Sequence, residues 1–299
     1  MRPLSPAQRH RARILQEQAQ ATASPYGVEL QGDAYGLMRV KLSQDKTRIS
    51  QIQSHERRAE LKAKLLAEYF DWIDTAIKGT GALDQVLTTL MVWCFDAGAY
   101  ALGLQIAGYV IRHRMPMADD YKRSPSAIVI DELANAYLKG QWKPLDVLAA
   151  EDGKRHLAPA VIEAGKEREH TAALLVEAQA ITAEQDAPDQ ARAKIYKAIA
   201  YASLGKVQTA DEPDLAAIEP DALRLAAGTL QRALALDSNA GVKKDLERIE
   251  RALAKSAKSG NADAPPAPQQ PAAAKPAPAR KTAAAKKAAP PARKRPTRK

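Results

Sequence analysis

The residues of this 299-residue chain best suited to catalysis are acidic residues that stand two positions before a lysine. Metal-dependent nucleases use carboxylates that converge on one or two divalent ions, often beside a lysine. Residues 119–122 (Asp-Asp-Tyr-Lys) and residues 60–62 (Glu-Leu-Lys) contain such a pair. Neither has an upstream Pro-Asp pair, and the chain's Pro-Asp pairs lie further along, at predicted helix starts where Asp caps a helix. We therefore predict no catalytic residue; a metal-dependent DNA endonuclease using Asp119 and Asp120 is the open alternative.

Sequence patterns typical of cofactor and metal binding are also missing. The phosphate-binding pattern Gly-x-x-x-x-Gly-Lys-Ser/Thr does not occur, so ATP hydrolysis by that route is not expected. Histidines are too scattered for a metal pair on one helix, at positions 10, 55, 113, 156 and 170. Cys94 is the only cysteine, which excludes an intrachain disulfide and a thiolate-rich zinc site. We expect this chain to bind no cofactor and no metal.

Basic residues are concentrated at the two ends of the chain. Residues 1–64 hold 12 basic and six acidic residues, and residues 255–299 hold 12 basic residues and one acidic residue. The intervening residues 65–254 hold 21 basic and 28 acidic residues, so the net charge of +10 comes from the ends. A mildly acidic body with two basic ends predicts a polyanionic partner.

The basic region 1–64 has few aromatic residues, which suits contact with a phosphate backbone better than base stacking. Its cations begin in a predicted helix after Ser5-Pro6. No helix-turn-helix signature is visible, so base-specific reading is not assigned, and a solvated basic face that binds nothing is the alternative. The DNA contacts that we predict in this region are Arg9, Arg11, Arg13, Lys41, Arg48, Arg57 and Arg58.

The last 36 residues contain 13 alanines, nine prolines and ten lysines or arginines, with no acidic residue. Such a segment cannot bury enough apolar surface to offset the entropy of ordering it, so we predict a disordered and extended tail. A solubilising tail is one interpretation, but its clustered cations favour contact with phosphates. Those cations are Lys286, Lys287, Arg293, Lys294 and Arg295.

Hydrophobic periodicity between the basic ends predicts an all-α fold. Apolar residues recur every three or four positions in helices expected at about residues 61–77, 82–95, a third ending near 115, 127–139, 159–184, 191–204, 221–236 and 241–255. Ala127–Ile130 also fits a strand. The arm 82–95 is apolar nearly all round, which predicts burial on two sides, within the body or against a second subunit.

Two of these helix pairs, 82–115 and 190–236, resemble degenerate tetratricopeptide hairpins, with small alanines where the helices cross. We divide the chain into a basic DNA-binding region 1–64, a helical body 65–255 for core packing and oligomerisation, and the tail 256–299. No apolar run is long enough to span a bilayer, and the N-terminus lacks the apolar core of a secretory signal. The cytoplasm is the expected compartment.

Several segments, taken in order, resemble the small terminase subunit of temperate contractile-tailed phages, the GpM-type family. They are residues 5–10, 40–42, 90–98, 101–117, 122–125 and 230–248. The resemblance extends from about residue 5 to residue 255, and the basic Ala/Pro/Lys tail is shared in character. Residues 140–185 match least well.

This resemblance implies a role in packaging viral DNA, in the cytoplasm of the bacterial host. A family member recognises the cohesive-end site on concatemeric DNA and directs the large subunit, which carries the ATPase, the nuclease and their ATP and Mg²⁺. The family also implies a homo-oligomeric ring, in which weak phosphate contacts add up. Its members are often labelled terminase endonuclease subunits, although no nuclease site is visible here. A helical-repeat scaffold that binds proteins is a further alternative.

Overall fold

The computed structural model describes residues 32–118, 121–207 and 211–260. Within them the chain is helical apart from one β-hairpin, which confirms the all-α prediction. The elements are α1 (Asp33–Ser50), α2 (His55–Leu66), α3 (Phe70–Ala76), α4 (Gln85–Ala97), α5 (Tyr100–Arg112), α6 (Pro125–Leu138), β1 (Leu145–Ala149), β2 (Arg155–Pro159), α7 (Glu167–Ile181), α8 (Asp189–Leu204), α9 (Pro220–Leu236) and α10 (Lys243–Gly260).

Helix α4 is the centre of the hydrophobic core. It begins at an Asp84 cap, whose carboxylate accepts a hydrogen bond from the Leu87 amide at 3.0 Å, and it ends at Gly98. Every residue from Val86 to Phe95 is buried, with α2, α5 and α6 packed around the helix. The apolar arm is thus buried within one chain.

Glycines allow the chain to pack closely around this core. Gly98 has φ +91°, and its carbonyl accepts a hydrogen bond from the Leu145 amide at 2.9 Å, which joins the end of α4 to β1. At Gly103 a Cβ atom would stand 2.5 Å from the Phe95 ring, so glycine lets α5 approach α4. The turn between α4 and α5 therefore fixes the position of the β-hairpin.

The helix predicted for residues 61–77 is interrupted. A 3-10 turn, Ala67–Tyr69, separates α2 from α3. Leu65 and Leu66 are both buried, and so are Tyr69 and Phe70. These four positions are spaced i, i+1, i+4 and i+5, so both pairs lie on one face of the helical segment, and the 3-10 turn tightens its pitch locally.

The helix predicted for residues 159–184 is wrong over its first part. Arg155–Pro159 forms β2, which pairs antiparallel with β1 in the register Leu145↔Pro159, and α7 begins only at Glu167. Pro159 ends the strand, where a missing amide costs no ladder bond. Gly165, at φ +85°, separates the strand from the helix.

The alternative strand at Ala127–Ile130 is not formed, because these residues lie in α6. That helix begins with the Ser124 side chain accepting from the Ala127 amide at 3.3 Å and with Pro125 in its first turn. No helix in the described part of the chain is long and apolar enough to cross a membrane.

Helices α8 and α9 pack closely against each other through buried alanines, as expected for the hairpin 190–236. The boundary drawn after residue 64 falls inside α2, and Leu42 of α1 belongs to the same core as Leu65. At the other end, α10 continues to Gly260, past residue 255, where the body was expected to end. The rest of the predicted tail lies outside the described residues.

Candidate nucleic-acid interface

Two predicted DNA contacts, Lys41 and Arg48, meet at one carboxylate. Asp45 is 3% exposed and accepts from the Lys41 ammonium at 2.9 Å, from Arg48 Nη1 at 3.0 Å and from the Tyr69 hydroxyl at 2.7 Å. Burial alone would raise the pKa of Asp45, but the hydrogen bonds from Lys41 and Tyr69 outweigh it and lower that pKa. Asp45 is therefore held ionised, and it fastens α1 to the turn before α3.

Lys41 is further engaged by a second acid. Its ammonium donates to the Glu68 carboxylate at 2.7 Å and lies 4.5 Å from the centre of the Tyr69 ring. These contacts outweigh the burial of the ammonium and raise its pKa. With two carboxylates beside it, Lys41 stabilises the junction between α1 and the Ala67–Tyr69 turn, and its charge is largely offset. Arg48 shares Asp45 but keeps 57% of its side chain exposed.

The other predicted pair in the described region, Arg57 and Arg58, lies in the first turn of α2. Ser54 caps this helix by accepting from the Arg57 amide at 3.3 Å. The Arg57 side chain is exposed and has no ion-pair partner in the part of the chain that the structure describes. Arg58 Nε donates to the Ile52 carbonyl, so this side chain secures the loop between α1 and α2. Of the pair, Arg57 is the one available to a phosphate.

The remaining predicted contacts lie outside the described residues. They are Arg9, Arg11 and Arg13 near the N-terminus and, in the tail, Lys286, Lys287, Arg293, Lys294 and Arg295.

A basic cluster that the sequence did not suggest lies where the loop before α4 meets the end of α5. The loop between α3 and α4 packs against the end of α5: the Gly81 amide donates to the Tyr109 hydroxyl at 2.8 Å, and a Cβ atom on Gly81 would stand 2.4 Å from His113 Nδ1. This contact brings the segment of Lys78 beside the segment of Arg112 and Arg114. We call Lys78, Arg112 and Arg114 the basic end.

All three side chains of the basic end are exposed, and none has an ion-pair partner among residues 32–118, 121–207 and 211–260. Asp74, the acid nearest in sequence to Lys78, pairs with Arg155, and Asp84, the acid of this loop, is buried. Burial raises the pKa of Asp84 despite hydrogen bonds from the Leu87 amide and from Trp72 Nε1. The exposed charge of the two segments is therefore positive, as phosphate binding requires.

Arg39 extends this positive surface along α1. Its guanidinium lies 5.9 Å from the centre of the Tyr35 ring, and Tyr35 stacks on Trp72 at 6.1 Å. Trp72 in turn lines the same small cavity as Gly79 and Thr80 of the loop next to Lys78. Lys78 lies more than 30 residues from both Arg39 and Arg112 in the sequence. The only sequence signal for the basic end was a pair of segments without acidic residues, residues 77–83 and 111–118.

Chemistry beyond charge is sparse in the described region. No group of three or more His, Cys, Asp or Glu residues there is placed to hold a metal ion. Asp119 and Asp120, the ligands of the endonuclease alternative, lie outside the described residues, and Glu60 and Lys62 are separated by one residue on α2, where Lys62 pairs with Asp96. Burial raises the pKa of Cys94 and leaves this thiol unreactive.

Comparison of the sequence with known proteins identifies a family. Residues 39–152, which include the basic end, match the family model of the phage small terminase subunit. The terminase, endonuclease subunit of Escherichia phage P2 is 32% identical over 251 residues, covering 83% of this chain and 85% of the phage protein. No solved structure matches the chain significantly. Because the identity extends over most of both proteins, the chain belongs to the phage small terminase subunit family.

Proposed function

We propose that this chain binds concatemeric viral DNA at the cohesive-end site and directs the large subunit to cleave it and package it into the procapsid. The observation that carries the proposal is the basic end, three exposed cations that lie inside the region matching the family and have no ion-pair partner among the described residues. The large subunit supplies the ATPase and nuclease with their ATP and Mg²⁺. The work takes place in the cytoplasm of the bacterial host.

The DNA contacts fall into three groups. In the described region, the basic end and Arg57 are the exposed cations that we assign to phosphates, whereas Lys41 and Arg58 support the fold. Arg9, Arg11 and Arg13 add the N-terminal contacts. The tail adds affinity that is blind to sequence, because clustered lysines and arginines release counterions wherever they meet a phosphate backbone.

A homo-oligomeric ring needs a surface other than the buried hairpin of α4 and α5. Helix α1 offers one, since Leu37 is 71% exposed and Val40 is 56% exposed, one turn apart on its outer face. A ring joined through these side chains of neighbouring copies would repeat the basic end around its circumference. Repetition converts weak phosphate contacts into avidity.

Fluorescence anisotropy with the purified full chain tests DNA binding. We expect measurable affinity for any duplex at physiological salt, tighter binding to a duplex with the cohesive-end site, and a steep fall in affinity as salt rises. A chain that binds no duplex at physiological salt would instead be the protein-binding scaffold.

One observation favours a second function, namely that the P2 relative is named an endonuclease subunit. Under this candidate function Asp119 and Asp120 bind Mg²⁺ and this chain cuts the DNA itself. Asp120→Ala would then abolish cutting while leaving DNA binding intact.

A further inference from the structure

A groove on the side of the body away from the basic end has no assigned role. Its volume is about 550 Å³, and it lies among α6, α7, α8 and the segment after α8. Its apolar lining includes Tyr137, Trp142, Leu204, Val207, Pro213 and Ile218. Val207 of this lining is 51% exposed.

The aromatic side of the groove is rigid and carries an unused hydrogen-bond donor. The Trp142 ring stacks on Tyr100 at 4.0 Å between centres and meets Tyr137 edge-on at 5.8 Å. Its indole Nε1 is buried and has no hydrogen-bond partner among the described residues. The stacked rings therefore present a fixed aromatic surface to the groove.

The opposite wall is acidic. Residues 211–221 include five acids and no basic residue; Asp214 of this segment lines the groove, whereas Glu212 and Asp221 pair with Arg248 and Arg224. Glu167 at the start of α7 lines it as well. Arg168 is the single cation of the lining, and it packs against Gly205. The groove is therefore suited to an apolar chain that carries positive charge.

The C-terminal tail of the same chain has that chemistry and starts from the acidic wall. Helix α10 is attached there, since Arg248 pairs with Glu212 at 3.6 Å and Lys206 pairs with Asp245 at 2.8 Å. Gly260, the last residue of α10, is 12 residues beyond Arg248, or about 18 Å along the helix. An extended proline-rich chain rises about 3.1 Å per residue, so about six residues return to the wall.

The first stretch of the tail past this point that carries both prolines and cations is residues 271–281 (Pro-Ala-Ala-Ala-Lys-Pro-Ala-Pro-Ala-Arg-Lys). Pro271, Pro276 and Pro278 preorganise an extended chain, which aromatic grooves bind at low entropic cost. Lys275 and Arg280 supply the charge that the acidic wall lacks.

We propose that the groove binds residues 271–281 of its own chain in an extended conformation, with their prolines on Tyr137 and Trp142. Their cations then face Glu167 and Asp214. This docking fixes the first part of the tail on the body and leaves the distal cations, from Lys286 onward, for DNA. The proposal does not depend on DNA binding, because it concerns contacts within one chain.

Fluorine NMR of the full chain labelled with 5-fluorotryptophan tests the docking. The chain has three tryptophans, and a Trp142→Phe variant identifies the resonance of Trp142. Replacing Pro271, Pro276 and Pro278 with alanine is expected to shift that resonance and to leave those of Trp72 and Trp93 unchanged. The matched control is Pro290→Ala with Pro291→Ala, which changes prolines outside the docked segment and should shift none of the three.

Three outcomes would overturn the proposal. The Trp142 resonance could be identical in the full chain and in the three-proline variant, so that the groove is empty of the tail. Dilution of the unsubstituted chain could move its Trp142 resonance to the position seen in the three-proline variant. The docking would then depend on concentration, which would mean that a second copy supplies the tail. The Trp142 resonance could respond only when the large subunit is added, which would make the groove a site for that partner. A Glu167→Gln, Asp214→Asn variant that reproduces the three-proline shift would support the proposed charge pairing.

Discussion

Replacing Lys78, Arg112 and Arg114 together with alanine is expected to weaken binding of duplex DNA about 100-fold at low salt. Each of these exposed cations lacks an ion-pair partner in the described structure, so each is free for a phosphate. A contact between a cation and a phosphate contributes about 1 kcal/mol, and its loss lowers the slope of log K against log salt by about 0.9. Three contacts give a slope smaller by about 2.7, measurable by anisotropy titrations at several salt concentrations.

The matched control removes the same charge from the other side of the body. Arg232, Lys243 and Lys244 are also exposed and unpaired within the described ranges, but they lie on α9 and α10. Their replacement with alanine should change the slope by much less. An equal fall in both variants would mean that net charge, and not the basic end, determines DNA binding.

Gly98→Ala is expected to destabilise the fold by about 3 kcal/mol. A non-glycine residue at φ +91° is strained by about 1 kcal/mol or more, and the new Cβ atom would stand 2.3 Å from the Lys143 carbonyl oxygen. That atom belongs to the backbone, and the neighbouring hydrogen bond from the Leu145 amide to Gly98 holds it in place. Relief of the clash would therefore separate β1 from the end of α4. Urea denaturation followed by circular dichroism measures the loss.

Gly108→Ala is the control for this substitution. Gly108 lies in α5, and no neighbouring atom is within 4 Å of the position its Cβ would take. Alanine there should leave stability unchanged or raise it by about 0.5–1 kcal/mol, because it favours the helix. If the Gly98→Ala variant unfolded at the same urea concentration as the unsubstituted chain, the close packing of Gly98 against the Lys143 carbonyl would be contradicted.

Helical periodicity predicted most of the fold, and each of its failures has a physical cause. The apolar residues of 82–95 repeat so densely that burial of α4 followed from the pattern alone. The β-hairpin did not follow, because Leu145–Ala149 and Arg155–Pro159 are short and their pairing depends on a turn at Gly153. The break at Ala67–Tyr69 did not follow either, since Glu68 and Tyr69 of this turn bond to Lys41 and Asp45 of α1, contacts that no local pattern encodes.

The site was harder to predict than the fold, because charge along the sequence does not show which cations are paired. Lys41 lies in a basic segment, yet Asp45 and Glu68 neutralise it once α1 packs on the turn before α3. Lys78 and Arg112 lie in the acidic body, yet the contact of Gly81 with Tyr109 and His113 brings their segments together. Ion pairing and loop packing are tertiary properties, and they decide which charges stay free.

The most direct test of the central claim is a cleavage assay with Mg²⁺ on DNA that contains the cohesive-end site. The purified full chain is assayed alone and together with the large subunit, and binding and cutting are scored in the same samples. We predict that the chain alone binds the DNA without cutting it, and that cutting requires the large subunit. Cutting by the chain alone, abolished by Asp120→Ala, would contradict the account and make this protein an endonuclease in its own right.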